Sequence, residues 1–242
     1  MASTAERPER IEIGRVLGRM FSAPGGSFAP LFAIALVLVA IPIFAAEWES
    51  SSLASGALTL ASGILSRFVQ AIVVHVCLAR LIAGDASTRE ALARMLPRFL
   101  SVVFASILFT LIAIAGVLLL VIPGIIAYVG LFVVVPALVQ EEIGATDAVS
   151  RSWELTSGYR WQILWLLVLA GIFYGLLLGA ASALTSALEA SGAAPHLAKA
   201  AMDGLMTAVM AIFGGALSAA LYVELRTGRE GGPTEQLVAV FE

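Results

Sequence analysis

Long apolar runs, separated by shorter polar segments, dominate the chain. An apolar helix of roughly 20 residues crosses the hydrocarbon core of a bilayer, which is about 30 Å thick. We therefore predict an all-α integral membrane protein with six transmembrane helices and three short interfacial amphipathic helices on the cytoplasmic side. The predicted spans are residues 28–46, 60–83, 99–121, 125–140, 161–188 and 198–221. The membrane domain covers 28–224, with an N-terminal tail and interfacial helix over 1–27 and a C-terminal tail over 225–242.

The apolar stretch from 99 to 140 is too long for one crossing. As a single helix it would extend roughly 63 Å, twice the hydrocarbon core. Ile122-Pro123-Gly124 marks the turn, because proline removes a backbone donor and glycine permits unusual backbone angles. The small, serine-rich residues before 60 leave the start of span two open.

Three short amphipathic segments, IGRVLGRMF, REALARMLP and TDAVSRSWE, each precede a chain breaker and a helical hairpin. They superpose with Arg19, Arg94 and Arg151 in register, and the breakers are Pro24-Gly25-Gly26, Pro97 and Gly158. This order favours an internal repeat. Basic linkers, which any polytopic protein has, are the alternative.

The third segment lies in the longest polar run between the first and last apolar runs, Glu141 to Trp161. Thr146 or Asp147 can cap the start of a helix there, and Gly158 can end it. Asp147 and Arg151 are four residues apart, so they can pair on one helix face.

The composition agrees with a membrane protein. The 242 residues are 60% hydrophobic and 13% charged, whereas soluble domains carry about 25% charged residues. Mean hydropathy is +0.98. Cys77 is the single cysteine, which excludes a disulfide within the chain. The first apolar run is too long for the apolar region of a signal peptide, so we expect a retained span.

The arginines predict the orientation, because basic residues mark the cytoplasmic side. With the N-terminus inside, the inner segments hold Arg7, Arg10, Arg15, Arg19, Arg80, Arg89, Arg94, Arg98, Arg151, Arg160, Arg226 and Arg229. The outer loops hold only Lys199. We expect a multi-pass protein of the bacterial inner membrane with both termini cytoplasmic, with Ser51 and Ser191 outside and Ser87 and Thr156 inside.

Two groups of polar residues are candidate sites. Arg67, Gln70 and His75 fall within span two, where a charge is unfavourable and usually faces a bundle interior or a ligand. The alternative is that Arg67 extends to the outer interface. The second group is a basic collar that could hold anionic lipid headgroups or dock a partner, or could merely orient insertion. Its members are Arg19, Arg94, Arg98, Arg151 and Arg160.

Small residues recur every fourth position in spans five and six, which lets another helix approach closely. They are Gly171, Gly175 and Gly179 in span five, and Ala211, Gly215 and Ala219 in span six. We expect packing of span five against span six, with a dimer interface as the alternative. Asp203 is expected to pair with Lys199, four residues earlier.

The sequence predicts no catalytic, cofactor or metal site and no nucleic-acid partner. His75 and His196 are the only histidines and lie far apart in depth. No nucleotide-binding glycine loop is present. The pair Glu141-Glu142 is expected to be solvated.

Two longer stretches carry a family resemblance. VVVPALVQEEIGATDAVSRSWELTSGYRW resembles the signature loop of the membrane domain of bacterial membrane-anchored glycerophosphodiester phosphodiesterases and of YciC-type inner-membrane proteins. YVELRTGREG resembles the ending of that domain, and IEIGRVLGRMF and IPGIIAY also fit. The resemblance implies a six-span helical domain. It implies no phosphodiesterase activity, because the sequence holds no catalytic barrel.

We therefore expect a non-catalytic accessory, scaffold or anchoring protein. Its expected partners are anionic membrane lipids and a membrane protein or a second copy of the chain. The alternative is a transporter or lipid-handling protein with a polar site near Arg67, and an intramembrane enzyme ranks third. A polar cavity within the bundle would favour the alternative, and an open small-residue face would favour the scaffold.

Overall fold

The computed structural model describes residues 11–48, 51–84, 87–119, 121–190 and 195–230, and every regular element in these ranges is helical. The predicted tail residues 1–10 and 231–242, and Ser191, lie outside the described residues. Six helical stretches are long and apolar enough to cross a membrane. They are Gly25–Ala46, Ser52–Ile82, Thr88–Ile112, Pro123–Glu141, Arg160–Ala190 and Ala198–Glu230. This matches the predicted number and is consistent with a multi-pass membrane protein.

The helices follow one another with short connections. They are α1 (Ile13–Ser22), α2 (Phe28–Ala35), α3 (Ile41–Trp48), α4 (Ser52–Ala83), α5 (Thr88–Met95), α6 (Phe99–Leu119), α7 (Val121–Gly130), α8 (Val134–Glu141), α9 (Ala145–Thr156), α10 (Arg160–Ala190) and α11 (Pro195–Glu230). A π-helical segment, Leu36–Ala40, joins α2 to α3 without a break. Turns of 3₁₀ helix at Gly25–Ser27 and Leu96–Arg98 lead into α2 and α6.

Two helices are longer than the apolar pattern predicts. α4 begins at Ser52 rather than near residue 60, and the side chain of Ser51 caps it by accepting a hydrogen bond from the Ala54 amide at 3.5 Å. Its polar side chains bond to their own helix, as Thr59 does to the Ser55 carbonyl at 2.9 Å. α11 continues past 221 to Glu230, where Arg226 and Glu230 form an i,i+4 ion pair at 2.8 Å.

The predicted fourth span is broken rather than continuous. α7 ends at Gly130 and α8 begins at Val134, so residues 131–133 form a turn. The ring of Trp153 lies so close to Gly130 that a Cβ there would stand 2.6 Å from it. Pro136 lies in the first turn of α8, where its missing amide removes no helical hydrogen bond.

The centre of the fold is the packing of α4 against α11. A Cβ on Gly215 would stand 3.0 Å from Val73 and 3.1 Å from the Gln70 carbonyl oxygen, so the two backbones approach closely. Ala211 and Ala219 are buried on α11. The predicted small-residue face of span six is therefore a packing face, but it packs on span two rather than on span five.

The small residues of span five face outward in the structure. Apart from the backbone of α10 itself and the neighbouring residues, no heavy atom of the described ranges lies within 4 Å of where a Cβ on Gly171, Gly175 or Gly179 would be. Only Ile163, Leu166, Ala181 and Thr185 are buried along the whole of α10. The expected packing of span five against span six therefore does not use these glycines.

The short helices α1, α5 and α9 each precede a long helix, in the order that the sequence predicts. The first break shows why glycine is needed there. Gly25 has φ +41°, and a Cβ on it would meet the guanidinium of Arg80 at 2.0 Å. The same Arg80 donates to the Pro24 carbonyl at 2.9 Å, which ties the break to the end of α4.

Candidate functional site

Glu224 joins the first helix to the last. Its carboxylate lies 2.7 Å from Arg19 and 3.2 Å from Arg15, and its side chain is only 8% exposed. The two arginines are four residues apart on α1, so both reach the same acceptor. Val16, between them, is fully buried. One buried acid on α11 thus holds the arginine-bearing face of α1.

Arg151, on α9, joins two other helices through carboxylates. Its Nε donates to both oxygens of Glu141, at 2.8 and 3.0 Å, and its Nη2 contacts Glu230. Tyr222 donates to Glu141 at 2.8 Å, and Arg226 to Glu230 at 2.8 Å. We call Glu141, Arg151, Tyr222, Arg226 and Glu230 the Arg151 cluster. The cluster connects α8, α9 and the end of α11.

The surrounding carboxylates stabilise the positive charge of Arg151. The hydrogen bond that Arg151 donates to Glu141 is the largest cause that raises the pKa of its guanidinium above the usual value, and the bond to Glu230 adds to it. Arg151 therefore remains positively charged at neutral pH and well above it. Glu141 and Glu230 therefore face a positively charged side chain.

Two expectations about this region need correction. The expected Asp147–Arg151 pair is absent from the described residues, because Arg151 turns toward Glu141, Glu230 and, at 3.4 Å, Glu154. Glu141 and Glu142 are not a free solvated pair. Glu141 belongs to the Arg151 cluster, and Glu142 lies 3.1 Å from Arg98.

The helix α9 is packed on the bundle by its uncharged face. Ser152 and Thr156 donate to the Gly130 carbonyl at 2.9 and 3.1 Å, where the end of α7 leaves that oxygen without a helical donor. No side chain caps the start of α9, contrary to the expectation for Thr146 or Asp147. Gly158 has φ +89° just beyond its end, as predicted.

The five predicted collar arginines have different surroundings. Arg19, Arg98 and Arg151 are held by carboxylates. Arg160 stacks over the Trp153 ring at 4.1 Å, and its Nε is buried without a hydrogen bond. Arg94 is exposed and makes no ion pair or hydrogen bond within the part of the chain that the structure describes. Binding of lipid or of a partner by the collar remains a prediction.

The predicted polar site in span two is only partly assembled. Arg67 is exposed and donates to Gln70 at 3.2 Å. His75 lies eight residues beyond Arg67, about 12 Å along the helix. Neither of the two cavities described below is lined by these three residues.

Lys199 and Asp203 pair at 3.2 Å, as predicted. Within the described ranges, no group of three His, Cys, Asp or Glu residues could hold a metal ion.

Two open cavities lie on the sides of the bundle. The larger, of about 540 Å³, runs between the first span, α4 and the junction of α5 with α6. We call it the side groove, and its lining is entirely apolar, including Ala33, Val37, Phe68, Leu92, Leu96 and Phe99. The smaller, of about 280 Å³, lies beside Trp153 and Val149 of α9.

The sequence did not predict the roles of Glu141, Glu224 and Glu230, the acids that connect the helices near the end of α11. A signal was present, because Tyr222, Arg226 and Glu230 recur at four-residue intervals and therefore share one face of α11. The apolar pattern ended the helix at 221, so these residues were placed beyond it. Glu224 gave no separate signal, since its partners lie on α1, more than two hundred positions away.

The comparisons with known proteins yield one match. A family model described as a domain of unknown function, DUF7847, matches residues 55–225. We found no match to the chain among curated proteins or among solved structures.

Proposed function

Because the chain belongs to the DUF7847 family, whose function is unknown, we propose from the structure that it is a non-catalytic membrane scaffold. In this proposal it lies in the bacterial inner membrane with both termini cytoplasmic. It binds a transmembrane helix of another subunit, either a second copy or a different protein, through the open face of α10. We also propose that the chain is related to the membrane domain of bacterial membrane-anchored glycerophosphodiester phosphodiesterases, which its sequence resembles.

The positions of the charges support the membrane placement. Lys199 and Asp203 precede Glu224 on α11 by 25 and 21 residues, which is about 38 and 32 Å along a helix. The hydrocarbon core is about 30 Å thick. The Lys199–Asp203 pair and the Glu224 ion pairs are therefore spaced as charges at two opposite interfaces would be. The excess of arginine at the Glu224 end favours the cytoplasm on that side.

The single observation that carries the scaffold proposal is the open glycine row of α10. Gly171, Gly175 and Gly179 form a smooth strip on a 31-residue apolar helix, and none of the described residues packs on it. Helices often associate in membranes through such strips. Lipid tails are as apolar as side chains, so apolar burial alone does not favour helix–helix contact over helix–lipid contact, and close approach of the two backbones provides the favourable packing. Glycine inside a helix is otherwise unfavourable by about 0.5–1 kcal/mol relative to alanine.

Replacing Gly175 with Leu tests this proposal. The space beside Gly175 is open, so the change leaves the fold intact and adds helix propensity. If a partner helix packs there, the leucine holds it away, and we expect self-association or partner recovery to fall at least tenfold. Energy transfer between two fluorescently labelled populations in vesicles measures a second copy, and quantitative co-purification from native membranes measures a different protein.

Gly63→Leu is the matched control, because Gly63 lies on α4 with equally open space. The scaffold proposal requires Gly175→Leu to lose an association that Gly63→Leu keeps. A chain that is monomeric in vesicles and recovers the same proteins with Gly175→Leu as with Gly63→Leu would contradict it.

A further inference from the structure

We propose that the side groove binds one acyl chain of an anionic glycerophospholipid and that Arg89 binds its phosphate. This inference rests on the proposed membrane placement and is independent of any partner on α10. It identifies one arginine and one groove, rather than a general basic surface, as the lipid site.

The shape and lining of the groove suit an acyl chain. Its volume of about 540 Å³ lies within the range of about 300–1,000 Å³ that small-molecule sites occupy. It is lined by Ala33 and Val37 of the first span, by Phe68 of α4, and by Leu92 and Leu96 at and just after α5. No polar residue lines it, so a charged or sugar-like ligand would find no hydrogen-bond partner inside.

The groove alone does not select among lipids. Every bilayer lipid has apolar tails, and a tail gains little by leaving other tails for an apolar protein surface. Any preference must therefore come from the headgroup. The residue that meets the headgroup should be a cation at the end of the groove, without a carboxylate that already neutralises it.

Arg89 fulfils this requirement. Arg89, Leu92 and Leu96 stand at positions i, i+3 and i+7, so the arginine lies on the groove face of α5. Arg89 is exposed, and within the described residues it makes no ion pair. It is the second residue of the candidate span Thr88–Ile112, which places it where headgroups begin.

Arg94 provides the contrast on the same helix. It is also exposed and also lacks an ion pair in the described ranges, but it follows Leu92 by two residues and so points away from the groove. Glu90 lies four residues before Arg94, on that same opposite side, where its charge repels a phosphate. The charges of α5 thus favour an anion on the Arg89 side alone.

The test compares Arg89→Gln with Arg94→Gln in the full chain. Each protein is reconstituted in bilayers of equal parts phosphatidylcholine and phosphatidylglycerol and transferred to mild detergent, and native mass spectrometry counts the bound lipid. One arginine near an anionic surface corresponds to about a fivefold change in affinity. We expect Arg89→Gln to lower bound phosphatidylglycerol about fivefold relative to phosphatidylcholine, and Arg94→Gln to retain it.

A second pair of variants tests the groove. Ala33→Phe fills it from the first span, whereas Ala57→Phe adds the same ring on an exposed part of α4 away from the groove. We expect tightly bound lipid to be lost with Ala33→Phe only. Equal losses from both arginine variants, no loss from Arg89→Gln, or full lipid retention in Ala33→Phe would each overturn the proposal. None of these outcomes bears on the Gly175 experiment, which tests the scaffold.

Discussion

Arg151→Gln lowers the free energy of unfolding by about 3 kcal/mol, because removing one member of a partly buried ion pair leaves the other charges uncompensated. The side chains of Glu141 and Glu230 are only 19% and 28% exposed. Without the guanidinium, Glu141 loses its cation and keeps the Tyr222 hydroxyl, while Glu230 keeps its pair with Arg226. Glutamine reaches less far and carries no charge, so it cannot replace two of these contacts at once.

Cys77 supplies the measurement for this prediction. It is the single cysteine and is fully buried, so a maleimide dye that fluoresces on reaction with its thiol reports unfolding in detergent. Arg94→Gln is the control, since it removes the same charge from an exposed arginine that pairs with no acid among the described residues. Adding Glu141→Gln to Arg151→Gln should restore part of the loss, because it removes the acid that has lost its cation. Equal unfolding temperatures for Arg151→Gln and Arg94→Gln would refute the structural role of the cluster.

Glu224→Gln releases α1 from α11 and lowers the free energy of unfolding by about 2 kcal/mol. The effect is smaller than at Arg151 because Arg15 and Arg19 stay 48% and 30% exposed and regain water when the acid is lost. Trypsin cuts after arginine, so we expect faster cleavage at Arg15 and Arg19 than in the native protein.

Glu154→Gln is the matched control for that experiment. Its carboxylate is 64% exposed and 3.4 Å from Arg151, so the change should stay within about 0.5 kcal/mol of the native protein. Cleavage rates at Arg15 and Arg19 that do not differ between Glu224→Gln and the native protein would mean that the buried acid does not hold α1.

The apolar pattern predicted six long helices, and the described part of the structure contains six, since a run of about 20 apolar residues satisfies its backbone within a bilayer as a helix. It predicted their ends less well. Ser51 caps α4 early, and Arg226–Glu230 extends α11 late. Both ends depend on a few polar side chains that a hydropathy pattern treats as loop.

Partners across the fold could not be predicted. The spacing of Asp147 and Arg151 favoured a local pair, but Glu141 and Glu230 are brought to Arg151 by the packing of α8 and α11. Likewise, the repeating small residues predicted that spans five and six have smooth faces, but not which face would be covered. Gly215 lies against α4, whereas no described residue packs on Gly175, a difference that only the three-dimensional packing decides.

Cysteine labelling of intact cells tests the six-span, arginine-inside account most directly. Ser51 was predicted outside and Ser87 and Thr156 inside. Thr156 is unsuitable for labelling because it is buried on the Gly130 carbonyl, and the exposed Ser157 takes its place. In a Cys77→Ala background, an impermeant maleimide should label Ser51→Cys in intact cells, and Ser87→Cys and Ser157→Cys only after permeabilisation. Labelling of Ser87→Cys with protection of Ser51→Cys in intact cells would contradict the account.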